Sequence, residues 1–134
     1  MLVDTNVLSE LAKADPDLGV AHWAEAVPLP ISISVVTVEE IAFGLAWRPN
    51  DEIRVWFERF VDESCRVLAI TESIARRAGQ LRGRLRADGR PRTQADMLIA
   101  ATAQAHQLPL VTRNVRDFEG CGLSLVNPFD LASE

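Results

Sequence analysis

Cysteine is scarce in this sequence. Cys65 and Cys121 are the only two, they stand far apart, and no Cys-x-x-Cys spacing occurs. That excludes a cysteine-based zinc site and a disulfide framework. It fits a reducing, cytoplasmic setting. No apolar run is long enough to span a bilayer, so no membrane association is expected. Met1 to Leu8 lack a basic n-region and include Asp4, so a signal peptide is not expected either. Positive charge is in deficit: 14 Lys and Arg against 19 Asp and Glu leave a formal charge of -5. Broad, non-specific adhesion to nucleic acid is thereby disfavoured. Internal repeats, low-complexity tracts and linkers are also absent, which points to a single domain over residues 1–134.

What is present is an ordinary globular composition, 48% hydrophobic and 25% charged, at a size that supports its own core. Leu2 and Val3 form a short apolar strand, and Val7, Leu8 and Leu11 then recur at helical spacing. Pro16 suits the first turn of a second helix, with Val20, Trp23, Ala24 and Val27 inward. Pro28 and Pro30 end it. Ile31 to Val36 reads as a buried strand. Thr37 opens a third helix, with Ile41, Leu45 and Ala42 as its inner face. Ile53, Trp56, Phe57, Phe60 and Val61 make an amphipathic helix. Arg66 to Ile70 reads as a strand, and Thr71 caps a long helix that stops at Asp88-Gly89. Asp96 to Ala105 is helical. Leu110 to Thr112 and Leu123 to Val126 are short strands. Strands alternating with helices predict an α/β fold, a three-layer sandwich with a mostly parallel sheet.

Acidic and amide side chains recur at the starts of these helices. Asp4 directly follows a buried strand, at the edge where open α/β sheets bind ligands, although Asp4 or Asn6 also suits a helix cap. Glu40 lies in Thr37-Val38-Glu39-Glu40, a capping-box pattern that places it at the same edge. Asp96 heads an almost wholly apolar helix, where a carboxylate needs a partner or a metal, unless it is another cap. Thr112-Arg113-Asn114-Val115-Arg116-Asp117 follows a strand and brings Asp117 as a fourth carboxylate. Asn114 offers an uncharged oxygen there, and the Thr112 hydroxyl can orient a neighbouring acid. Carboxylates held together repel unless a cation lies between them. Oxygen-only ligation selects Mg²⁺, with Mn²⁺ as the alternative. Such ions polarise a phosphodiester and activate water.

Four segments together carry a resemblance. Leu2-Val3-Asp4-Thr5-Asn6-Val7-Leu8, Val36-Thr37-Val38-Glu39-Glu40-Ile41, Asp96-Met97-Leu98-Ile99-Ala100-Ala101-Thr102-Ala103 and Thr112-Arg113-Asn114 resemble a PIN domain. More narrowly, the chain is similar to the VapC-type toxins of bacterial toxin–antitoxin pairs, FitB-like subgroup, with Val126-Asn127-Pro128-Phe129 as the matching close. The resemblance implies a metal-dependent endoribonuclease that slows translation, with Asp4, Glu40 and Asp96 as core acids and metal ligands. The family's fourth acid falls on Asn114 here, a departure that leaves Asp117, one turn on, as the substitute. Thr5, Asn6, Thr37 and Thr112 match supporting positions. A cognate antitoxin is implied, with operator DNA bound only through the toxin–antitoxin complex, and a homodimer. Trp56, Phe57 and Phe60 are read as core, with some aromatic surface left for a partner.

Arginines crowd the stretch that leads to Asp96. Arg82, Arg86, Arg90 and Arg92, with Arg113 beyond, are candidates for holding RNA phosphates, since such contacts position a backbone without reading bases. A run of charge on a helix is also simply a solvated face. Two other classes stay open on the sequence. One is a non-catalytic binding module whose acids are helix caps. The other is a related metal-dependent phosphoesterase acting on DNA. A response-regulator-like receiver is disfavoured, since no lysine follows the Thr112 strand and the N-terminal acids are unpaired.

Overall fold

The computed structural model describes residues 1–129, so the last five residues of the expected domain lie outside the described part. In chain order the elements are β1 Leu2–Val3, α1 Thr5–Leu11, α2 Leu18–Ala26, β2 Ile31–Ser34, α3 Val35–Trp47, α4 Asp51–Ser64, β3 Cys65–Leu68, α5 Glu72–Ala87, α6 Gln94–Ala105, β4 Leu110–Val111, a 3-10 turn Val115–Phe118, and β5 Leu125–Val126. The five strands form one sheet in the order β3-β2-β1-β4-β5. Every pairing is parallel. The expected α/β sandwich is therefore present, with a sheet that is parallel throughout.

The strands are apolar on both sides because both faces are covered. Leu2 and Leu110 point into a core built with α5 and α6, alongside Ile74, Leu81, Met97 and Ile99. Val3 and Val111, one residue on, point the opposite way, into a core with α1, α2 and α4 that includes Val7, Leu8, Val20, Trp23 and Phe57. Alternation of side chains along a strand makes this inevitable. The result is helix, sheet, helix. Among the described residues no helix is long and apolar enough to cross a membrane.

Several boundaries differ from the sequence expectation. The strand expected over Ile31 to Val36 stops at Ser34, whose hydroxyl oxygen accepts the Val36 N–H at 3.0 Å and caps α3. The cap outweighs the strand preference of Val35 and Val36. Thr37 is thus inside α3, and the capping box read for Thr37 and Glu40 does not exist. Ala42 is exposed, leaving Ile41 and Leu45 as the inward pair. Pro16 precedes α2, whose cap is Asp17. The strand expected over Arg66 to Ile70 spans Cys65–Leu68, because it pairs residue for residue with the four of β2. The strands expected over Leu110 to Thr112 and Leu123 to Val126 each shorten to two paired residues. Helix α6 begins at Gln94, ahead of Asp96, with Thr93 as its cap.

Phe57 is buried, as read. Trp56 stacks on Phe60 at 4.8 Å between ring centroids and meets Phe57 edge-on. The aromatic surface left outside lies elsewhere, on Phe43 and Trp47 of α3, 62% and 68% exposed.

Candidate active site

Asp4 occupies the first position after β1. Its N–H still continues the sheet, donating to the Val111 carbonyl at 2.9 Å. The next residue begins α1, so the side chain projects at the carboxyl edge of the sheet, where parallel strands leave a crevice. One carboxylate oxygen, Oδ1, accepts the Thr5 N–H at 2.8 Å, so Asp4 is indeed the cap of α1. The other, Oδ2, accepts the Thr112 hydroxyl at 2.8 Å and the Asn6 side-chain amide at 3.3 Å. Capping therefore uses one oxygen, and the second is oriented by residues from β1's neighbour and from α1.

Thr112 and Asn6 each use both of their hydrogen-bonding functions. Thr112 Oγ1 accepts the Asn114 N–H at 3.0 Å while donating to Asp4. Asn114 thus reaches the acid through its backbone. Asn6 Oδ1 accepts the Arg113 N–H at 3.3 Å. An aspartate at position 6 would lose the donor that faces Asp4.

Glu40 reaches the same corner from the second turn of α3. Thr5 Oγ1 donates to Glu40 Oε1 at 2.7 Å and lies 3.0 Å from Thr37 Oγ1. A hydroxyl carries one proton. With that of Thr5 given to Glu40, the fully buried Thr37 donates to Thr5. A hydroxyl relay thus ties α3 to α1 and fixes Glu40. Asp96, in the first turn of α6, is freed from capping because Thr93 Oγ1 accepts its N–H at 3.1 Å. Asp117 follows Asn114 within the 3-10 turn.

The electrostatics show that these acids sense one another. Burial is the main cause that pushes Asp96 up to about 6, and the charges of Asp4, Asp117 and Glu40 push it further, against a lowering hydrogen bond from Thr93. Burial also raises Asp4 above its ordinary value, against the bonds from Thr112 and Thr5, with the Asp117 charge adding to the rise. Glu10 is the contrasting case. It is a buried acid of α1 held below its ordinary value, chiefly by the hydrogen bond from Lys13 at 2.8 Å. Among the described residues every ion pair lies elsewhere: Lys13–Glu10, Arg54–Asp51, Arg54–Glu58 and Arg76–Glu72. Four neighbouring acids thus lack a cationic side chain.

A hard divalent cation suits that donor set. Among the described residues no three His, Cys, Asp or Glu side chains close around one point. Mg²⁺ does not require that, since it retains several waters and binds through one or two carboxylates with substrate phosphate completing the shell. The residues present fit such an ion: the donors are anionic oxygens only, and the burial and neighbouring negative charge that raise Asp4 and Asp96 are both conditions a cation would relieve.

The arginines are distributed unevenly around this corner. Arg82 and Arg86 are exposed on α5. Arg90 Nη2 donates to the Glu119 carbonyl at 3.0 Å and Arg92 Nη2 to the Arg116 carbonyl at 3.1 Å. The Arg113 guanidinium lies over the Phe129 ring, 4.5 Å from its centroid, and Asn127 Nδ2 approaches the Arg113 carbonyl at 3.5 Å. Arg113, Asn114, Val115, Arg116 and Asp117 line an open depression of about 360 Å³. Ser34 is the supporting residue that sequence reasoning missed. Its signal was present, a serine directly before an apolar helical run.

Comparison with known proteins agrees with this geometry. Residues 1–120 match the PIN domain family. The VapC ribonuclease Y4jK of Sinorhizobium fredii is 35% identical over 139 aligned positions, covering 98% of this chain and 99% of that protein. The crystal structure of FitAcB from Neisseria gonorrhoeae superposes with a TM-score of 0.84 at 30% identity, over 97% of this chain and 99% of that one. The DNA-bound VapBC structure from Salmonella typhimurium gives 0.83 at 26% identity, over 95% and 96%.

Proposed function

Because the chain belongs to the PIN domain family, we propose that it is the ribonuclease toxin of a toxin–antitoxin pair, with one nuclease domain spanning residues 1–134. The observation that carries this reading is the set of acids at the sheet's carboxyl edge. Asp4, Glu40 and Asp96 approach from three different elements; hydroxyls hold Asp4 and Glu40, the charges of both raise Asp96, and among the described residues no cationic side chain pairs with them. Helix capping accounts for one oxygen of Asp4 and for neither Glu40 nor Asp96. The binding-module alternative is weakened accordingly.

Asp4, Glu40 and Asp96 would hold a divalent cation, one or two of them directly and the rest through water, Mg²⁺ in preference to Mn²⁺, with Asp117 at the margin. When bound, the ion polarises the scissile phosphodiester and lowers the pKa of water. The chain's own residues supply orientation. Thr112 and Asn6 fix the free oxygen of Asp4, and the Thr37–Thr5 relay fixes Glu40. Such outer partners typically matter about 10–100-fold in metal affinity or activity. Arg82, Arg86 and Arg113 supply positive charge for RNA phosphates without base readout.

The partners follow from the relatives, several of whose solved forms are toxin–antitoxin complexes, some of them bound to DNA. A cognate antitoxin covers this chain, and operator DNA is bound by the complex. The toxin is a homodimer that acts in the cytoplasm and inhibits translation. The test is to map RNA ends in cells after brief induction. New ends are expected with the parent chain and none with D96N. Identical ends with both would overturn the reading.

A further inference from the structure

We infer that Arg90 and Arg92 are positioning residues that clamp the 3-10 turn carrying Asp117 to the segment that leads into Asp96. The inference rests on the reading of these acids as one site. The turn Val115–Phe118 is short, and its cap residue Asn114 makes no side-chain capping hydrogen bond. Backbone carbonyls at the end of so short a turn are poorly satisfied within it: that of Arg116 accepts from the backbone only the long Glu119 N–H bond at 3.4 Å. Arg92 Nη2 takes the carbonyl of Arg116, the residue just before Asp117, at 3.1 Å. Arg90 Nη2 takes the carbonyl of Glu119, two residues after it, at 3.0 Å. The two guanidinium groups grip the turn on both sides of the acid.

Both arginines lie between the end of α5 and the start of α6. Whatever fixes the turn to them also sets Asp117 relative to Asp96. Packing shows how close the grip is. Gly120 has φ +86, and a Cβ built there would lie 2.8 Å from Arg90 Nη2. Position 120 favours glycine for its left-handed backbone, and a Cβ there would push the Arg90 tip away from the turn. Arg92 is partly buried, its Nη1 donates to the Pro91 carbonyl at 3.3 Å, and among the described residues its buried Nε has no partner. An unsatisfied buried donor is costly, and the bonds of Nη1 and Nη2 offset that cost. A rigid, planar guanidinium fork spans two carbonyls in different directions with less loss of freedom than a flexible ammonium. At Arg92 these bonds engage both Nη groups that an RNA phosphate would otherwise take.

The test is a double-mutant cycle on Mn²⁺ affinity, read by electron paramagnetic resonance without RNA, with thermal melts to check folding. R92Q is expected to weaken Mn²⁺ binding about 10-fold, the low end for outer-shell partners. In a D117N background R92Q should add nothing, because it acts through Asp117. R92K, which keeps the charge and should fold if R92Q does not, is expected to match R92Q. Full additivity with D117N would overturn the inference in favour of a general structural role. Unchanged Mn²⁺ binding with a higher KM for RNA would overturn it in favour of phosphate contact. If D117N alone leaves Mn²⁺ binding unchanged, Asp117 is outside the site and the clamp has nothing to position. That result is separate from failure of the nuclease reading, which D96N tests.

Discussion

Thr112 Oγ1 lies 2.8 Å from Asp4 Oδ2, although 108 residues separate the two in sequence. Adjacent parallel strands β1 and β4 bring them together, each ending one residue earlier. The bond is fully buried at Thr112 and is the larger of the two lowering influences, with the Thr5 N–H, that oppose the rise of Asp4 through burial. T112V, which keeps the shape and removes the donor, is expected to weaken metal binding by about 10-fold or more. It should cost about 1–3 kcal/mol of stability, since the Asn114 N–H and Asp4 lose a buried partner. T112S should restore most of the affinity. Mn²⁺ titration of the three proteins checks this.

Glu40 and Ser34 separate catalysis from stability. Ser34 caps α3 and Glu40 does not. E40Q should therefore melt within about 0.5 kcal/mol of the parent while its RNA cleavage collapses. S34A should lose about 1 kcal/mol and, once folded, keep its cleavage. Paired thermal melts and cleavage rates decide it. Equal destabilisation by both substitutions would return Glu40 to a capping role.

Asp96 makes the metal-free protein sensitive to pH. Its folded-state value is raised from 3.8 to about 6, chiefly by burial. The neutral acid is therefore favoured by folding, and the contribution is fully present below 3.8 and lost as pH rises through about 6. Metal-free D96N carries no such charge. It should melt above the parent at neutral pH, and the gap should close as pH falls through that window. Melting curves in chelator across pH 4–8 measure it, and a gap that widens on acidification would contradict the assignment.

Arg82 and Arg86 face solvent on α5, free of hydrogen bonds among the described residues. If they hold RNA, R82Q and R86Q should raise KM with little change in kcat. Each should lower the slope of log affinity against log salt by about 0.7, the value for one single-strand phosphate contact. Unchanged salt slopes would mean a solvated helix face.

Much of this fold was legible because it depends on local pattern. Two-faced apolar strands alternating with amphipathic helices define a parallel α/β sheet. Asp4 announces itself by following an apolar strand and Asp96 by heading an apolar helix, while Glu40 and Asp117 each lie a few residues past a strand. The exact helix starts were less legible. Ser34 and Thr93 decide where α3 and α6 begin, and both compete with nearby residues of equal capping power. Thr37 illustrates the ambiguity: its Thr-x-x-Glu pattern signals a cap, yet tertiary packing buries it under Thr5. Least legible were contacts between distant segments. The carbonyls taken by Arg90 and Arg92 carry no side-chain signature, so a basic stretch that reads either as phosphate contacts or as a solvated face includes two arginines that hold the backbone of a turn.

The most direct test of the central claim is RNA cleavage titrated against Mg²⁺ and Mn²⁺ for the parent, D4N, E40Q, D96N and D117N, with melts alongside. The account predicts no cleavage by folded D4N or D96N at any metal concentration, severe loss for E40Q, and a milder loss for D117N that added metal partly restores. Full cleavage by well-folded D96N would contradict it, whatever the other variants did.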